Sequence, residues 1–155
     1  MTKAPKPAAT RALKERLKSS KPRTKSSKAW LERQLNDPYV RAAKAQGYRS
    51  RAAYKLMEID DKYHFLKRGM KVVDLGAAPG GWTQFLVERC GPGNVIGVDL
   101  QPMEPMEGAV LLELNFMDNA APGIIREKLD GPVGAVVSDM AAPATGNRET
   151  DHLRV

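Results

Sequence analysis

The stretch KVVDLGAAPGGW, Lys71–Trp82, decides the fold. A short apolar run ends in Asp74, then turns through Gly76, Ala77, Ala78, Pro79 and Gly80 into a second apolar segment, GWTQFLVERC. A short apolar run, small-residue punctuation and a longer segment read as strand, tight turn and helix. Working outward toward the C-terminus, NVIGVDL and VLLEL read as strands, APGIIREKL as a helix and GAVVSDM as a fourth strand. Short apolar strands alternating with helices predict an α/β, Rossmann-like fold, with a mostly parallel sheet and helices on both faces. GAVVSD is apolar at consecutive positions, which suits a strand buried on both faces.

Toward the N-terminus the pattern becomes short helices. Pro38 can open one, Gly47 can close it, and Ser50 is placed to cap the next. Ala52, Leu56, Ile59 and Tyr63 recur at helical spacing and predict the buried stripe of that helix. Residues 1–28 carry ten Lys or Arg against the single Glu15, with Leu13 and Leu17 as the only large aliphatic side chains. Such a segment buries too little apolar surface to offset the entropy of ordering, so it reads as a disordered basic tail. The α/β sheet and its leading helices then occupy 29–155 as one domain, incomplete at its C-terminus. No repeat is apparent.

Charge is divided along the chain. The first 28 residues sum to +9, residues 29–71 to +5, and residues 72–155 to −7, within an overall +7. A basic front suggests a grip on a polyanion. Arg41, Lys44, Arg49, Arg51 and Lys55 lie within fifteen residues after the basic tail, and are the candidate RNA-binding set. No apolar run is long enough for a membrane-spanning helix, and one cysteine with two histidines offers no metal-ligand set. The expectation is a cytoplasmic protein without metal or membrane partner. A mitochondrial matrix location is the alternative, because the tail is basic, serine-containing and poor in acids.

Three ligands compete for the glycine turn. A P-loop needs Gly-Lys-Ser/Thr at the helix start, but Gly81 is followed by Trp82 and Thr83. A dinucleotide fingerprint counted from Gly76 meets Ala78 where its middle glycine should stand. An adenosyl-methionine group needs no phosphate grip. Asp74 at the first strand end could accept from its amine, and the turn N–H groups suit its carboxylate. Asp99, 23 residues after Gly76, ends the second strand where both ribose hydroxyls could be accepted, and Asn115 follows the third strand near the adenine edge. These strand ends line one crevice, which reads as a site for S-adenosylmethionine.

Three stretches together, DLGAAPGGW (Asp74–Trp82), SDMAAP (Ser138–Pro143) and GYRSRAAYKLMEID (Gly47–Asp60), resemble the FtsJ-type ribosomal RNA 2′-O-ribose methyltransferases. More narrowly, they are similar to members that methylate a uridine ribose in 23S ribosomal RNA. The resemblance implies that Gly80, Trp82, Asp99, Asn115 and Asp139 contact S-adenosylmethionine, and that ribosomal RNA within the large subunit is the partner. Asn115 stands where an aspartate is common, and Ala142 where a proline often follows Asp-Met-Ala. The family's reaction centre is a Lys-Asp-Lys-Glu set, of which Lys55 and Asp139 match the first two. Its second lysine, the expected base, and its glutamate have no match in this chain. The expectation is therefore that these 155 residues form the N-terminal two-thirds of a longer enzyme.

Two function classes follow. One is methyl transfer from S-adenosylmethionine to an RNA ribose; the other is a catalytically incomplete fragment that binds S-adenosylmethionine and RNA only. An unrelated nucleotide-binding Rossmann domain lacks its glycine and lysine here. A base-amine methyltransferase would be expected to show Asn/Asp-Pro-Pro-aromatic where Asp139-Met140-Ala141-Ala142 stands.

Overall fold

The computed structural model describes residues 36–141. The expectations placed on residues 1–28 and on Ala142 lie outside that range. Helix α1 runs Pro38–Ala45, with proline in its first turn and the Asp37 carboxylate accepting from the Tyr39 amide at 2.8 Å. Gly47, at φ +79°, ends it.

Helix α2, Ala52–Tyr63, departs from expectation at both its cap and its stripe. Arg51, not Ser50, holds the N-cap position, and no side chain caps the helix. The Ser50 hydroxyl instead lies against Gly81, where a Cβ would come within 2.2 Å of it. The buried residues are Ala53, Tyr54, Leu56, Met57 and Asp60; of the predicted line Leu56 is buried, Ala52 and Ile59 are half-buried, and Tyr63 is exposed. The cause is Asp60. Its carboxylate is fully buried because Arg89 pairs with one oxygen at 2.7 Å and the Leu66 amide donates to the other at 3.0 Å. Hydrophobic periodicity counts aspartate as solvent-facing, so a buried carboxylate met by a half-exposed arginine lies outside the predicted stripe.

Four parallel strands follow: β1 Val72–Leu75, β2 Val95–Asp99, β3 Ala109–Glu113 and β4 Ala135–Ser138, in the order β3-β2-β1-β4. Helix α3, Gly81–Cys90, joins β1 to β2, and α4, Ala121–Leu129, joins β3 to β4. Strand alternation splits the core into two layers. Val72 and Val95 face α2 and α3 through Leu56, Trp82, Phe85 and Leu86. Val73, Ile96 and Val98 face the other way, onto Leu129 and Ile125 of α4. Helices therefore cover both faces, as the apolar strands require.

The expectation for β4 is corrected. Its residues alternate between half-buried and exposed, and Val136 is 60% exposed. Among the described residues it pairs with β1 alone, and α4 packs over β2 on the opposite side of β1. Cys90, the chain's single cysteine, is fully buried at the end of α3, and burial pushes its thiol pKa up.

Candidate functional site

The carboxyl ends of β1 and β4 meet at the turn between β1 and α3. Gly76 leaves β1 at φ +74° and Gly80 enters α3 at φ +109°, conformations that glycine adopts without a Cβ penalty. A Cβ on Gly80 would come within 2.9 Å of the Met106 methyl and 3.2 Å of Arg49 Cδ, so both side chains pack closely over the bare backbone.

Beneath the turn lies a pocket of about 200 Å3. Asp74, Gly76, Trp82 and Asp139, all foreseen as site residues, line it together with Ser50 and Ala52. Asp74 is buried, and its carboxylate accepts from the Thr83 hydroxyl at 2.7 Å. Burial is the main cause of its pKa being raised to about 6, and the negative charges of Asp99 and Asp139 add to it, against the lowering effect of Thr83. A buried carboxylate in that condition is suited to a cationic partner. Gly97 on β2 leaves room for this arrangement, since a Cβ there would press on Thr83 Oγ1, Leu111 and Ala77 at 3.0–3.1 Å.

Asp139 also lines a second pocket, of about 500 Å3, with Tyr39, Arg51, Tyr54, Lys55 and Glu58. Here the Lys55 ammonium is ion-paired with Asp139 and stands 5.9 Å from the centre of the Trp82 ring. Asp139 and Ala52 are common to both pockets. The two members of the foreseen reaction set thus touch one another, at the junction of two chambers.

The remaining foreseen residues separate. Trp82 is mainly core, only 7% exposed, and its indole N–H donates to the Ala52 carbonyl at 2.7 Å. Asp99 holds the turn, with one oxygen accepting from the Ala78 amide at 2.9 Å and the other from the Gln101 amide at 2.8 Å. Each oxygen keeps a further lone pair. Asn115 forms its own turn: its carbonyl oxygen accepts from the Met117 amide at 3.1 Å, and it lines neither pocket. Arg51 pairs with Asp37, while Lys44 is exposed on α1 and Arg41 half-buried there.

Arg49 is employed differently from the other cations. Its guanidinium donates to the carbonyls of Glu104 at 2.6 Å, Pro105 at 2.7 Å and Pro79 at 3.4 Å. Sequence reading missed Ser50, Thr83 and Tyr39 as lining or supporting residues. For Thr83, the alternation of β1 and its nine-residue spacing from Asp74 carry no signal that a periodicity count would register. Among the described residues, no helix is long and apolar enough to cross a membrane, and no group of three or more His, Cys, Asp or Glu could hold a metal.

The sequence pattern of the FtsJ-like methyltransferases matches residues 48–155. A ribosomal RNA large subunit methyltransferase E from Rhodopseudomonas palustris is 60% identical over 134 residues, covering 84% of this chain and 57% of that protein. Its namesake from Rhizorhabdus wittichii is 52% identical over 141 residues, covering 91% of this chain and 62% of the relative. A crystal structure of a ribosomal RNA methyltransferase from Plasmodium falciparum superposes with a TM-score of 0.60 at 35% identity. It covers 68% of this chain and 63% of that one. The chain spans less than two-thirds of the length of the curated relatives it matches. The two-layered parallel sheet, its glycine turn and the matched pattern over most of the length agree, and the chain belongs to the FtsJ-like methyltransferase family.

Proposed function

We propose that this chain takes part in transfer of a methyl group from S-adenosylmethionine to the 2′-hydroxyl of a uridine ribose in 23S ribosomal RNA of the large subunit. A single observation carries the reading: Asp139, ion-paired with Lys55, belongs to both pockets at once. A methyl group passing in line between two substrates needs such a junction.

The chemistry of the donor set fits. Asp74 offers a buried carboxylate to the amine of a methionyl group, and the turn amides and the N-terminus of α3 favour its carboxylate. Asp99 retains lone pairs for the ribose diol, while Gly76, Gly80 and Trp82 shape the approach. Asn115 belongs to this set only if its turn with Met117 opens toward the adenine edge. S-adenosylmethionine supplies an electrophilic methyl carried on a sulfonium.

On the acceptor side, Lys55 and Arg51 present cations to the sugar-phosphate, and the Tyr39 ring offers a face to a nucleobase. Arg41 and Lys44 extend the cationic surface along α1. In the reaction the methyl carbon–sulfur bond would break to leave S-adenosylhomocysteine, the carbon–oxygen bond would form, and the hydroxyl proton would pass to solvent. Asp139 holds the Lys55 ammonium in register with that hydroxyl. The partner is ribosomal RNA within the large subunit, and the setting is the cytoplasm. Residues 1–28 act as a basic RNA-contacting tail, and 29–155 form the N-terminal part of the methyltransferase domain.

Undermethylated large ribosomal subunits and methyl-labelled S-adenosylmethionine test this, with Asp139→Ala as control. Label in RNA ribose that the control loses is the expected result. Cofactor and RNA retention without label would replace it with the second reading, a chain that binds both substrates and leaves catalysis to residues elsewhere. That reading has an observation of its own, since among the described residues Lys55 is the one lysine that lines either pocket.

A further inference from the structure

The segment Gly47–Ser50 between α1 and α2 is held to the rest of the molecule at every residue. The Gly47 carbonyl accepts from the Gln84 side chain at 3.0 Å, and the Arg49 amide donates to the same side chain at 2.6 Å. The Tyr48 hydroxyl donates to Glu88 at 2.6 Å, and Ser50 rests on Gly81. The Arg49 side chain continues past α3 and over Gly80, with its Cδ and Nη1 within 3.2–3.3 Å of where a Cβ would stand. It ends on three carbonyls, one in the glycine turn and two in the 100–108 loop that follows β2.

A guanidinium suits this task because it presents donors in a rigid planar fork and keeps its charge. These bonds engage three of its five N–H donors, including both on Nη1. Asp99 pins the start of the 100–108 loop through Gln101, so Arg49 supplies its second anchorage, at Glu104 and Pro105. Two residues further on, Arg51 and then Lys55 line the outer pocket. One short stretch therefore reaches from the turn at its beginning to the cationic pocket at its end.

We propose that Arg49 is a positioning residue of the methyl-donor site, latching the glycine turn and the 100–108 loop to the RNA-facing start of α2, and is not a phosphate contact. The proposal rests on the donor reading above. Cofactor affinity depends on Arg49 through the loop and turn, whereas Arg51 contributes to RNA affinity.

The test uses the full chain and three measurements: S-adenosylhomocysteine affinity by calorimetry, the salt dependence of ribosomal RNA binding, and hydrogen exchange over 100–108. Arg49→Met is expected to weaken S-adenosylhomocysteine by about tenfold or more and to speed exchange in the loop, leaving the RNA salt slope unchanged. Arg49→Lys, with one ammonium for three carbonyls, falls between. Arg51→Met instead lowers the RNA slope by roughly 0.7–0.9, the value for one lost phosphate contact. Tyr48→Phe removes a bond from the same strap without touching the turn, so it separates positioning from general loosening.

The proposal is overturned if Arg49→Met lowers the RNA slope as Arg51→Met does. It also falls if Tyr48→Phe weakens S-adenosylhomocysteine equally, or if exchange over 100–108 is unchanged. A wild-type chain that binds RNA but not S-adenosylhomocysteine would sink the donor reading instead. The latch would then be judged on loop exchange alone.

Discussion

The pocket beneath the glycine turn is walled by backbone and small residues around one buried acid, whereas its neighbour is walled by Tyr39, Arg51, Lys55 and Glu58. The first is preorganised: Asp74 is fixed by Thr83, the turn by Asp99, and positive-φ glycines leave no side chain to rearrange. The second depends on long side chains that solvent reaches, with Lys55 61% and Arg51 51% exposed. A small invariant ligand suits a rigid cradle. A large polyanion is met by exposed charge, where binding is salt-dependent and each contact is weak.

If the two chambers work together, the sharpest break comes at their junction. Asp139→Ala should lower methyl transfer by about 100-fold or more, within the range for loss of acid–base assistance. Equilibrium dialysis should show a much smaller change in cofactor binding. Equal losses in both would mean Asp139 belongs to the inner chamber alone.

Asp74→Asn tests the inner chamber for the tension between stability and function. The folded-state pKa of about 6 lies above the ordinary value of 3.8, so the fold favours the protonated acid. Its contribution is fully present below pH 3.8 and is lost as pH rises through 6. Ionised Asp74 then costs about 3 kcal/mol above that pH. Asparagine cannot ionise, so the variant should melt higher than wild type at pH 8 and equally near pH 4. It should also bind S-adenosylhomocysteine more weakly. Calorimetric melts at the two pH values check the sign; a lower melting temperature at pH 8 would refute the account.

In the outer chamber, Tyr39→Leu should weaken RNA binding by about 1–3 kcal/mol if its ring stacks on a base, and Tyr39→Trp should restore it. Filter binding would read both. Unchanged affinity in the leucine variant would leave the outer chamber purely electrostatic. The smallest effect is expected from Asp37→Asn, which removes the charge of the half-buried partner of the exposed Arg51. Stability should change by less than about 1 kcal/mol, and RNA affinity should rise slightly as Arg51 is released.

The inner chamber was the legible one. Strand periodicity and glycine spacing located β1, α3, β2 and α4, with α3 and α4 starting and ending where the pattern placed them. Asp74, Gly76, Trp82 and Asp139 came together because strand ends in a parallel sheet must converge. What escaped depends on side-chain partners far away in sequence. Pairing of the buried Asp60 with Arg89 turned α2, Gly81 drew Ser50 away from a cap, and charge counts do not reveal that the Arg49 guanidinium meets three carbonyls. The local bond of Asn115 to the Met117 amide, two residues away, was equally invisible to a periodicity count.

The buried thiol of Cys90 gives the protein a reporter of its own opening. It stands at the end of α3, the helix whose other end begins at the glycine turn, and no second thiol competes for a label. Alkylation must therefore wait until α3 lifts from the sheet, and its rate counts those excursions. Any ligand that grips the turn should slow the labelling in proportion to its occupancy, whatever its effect on turnover.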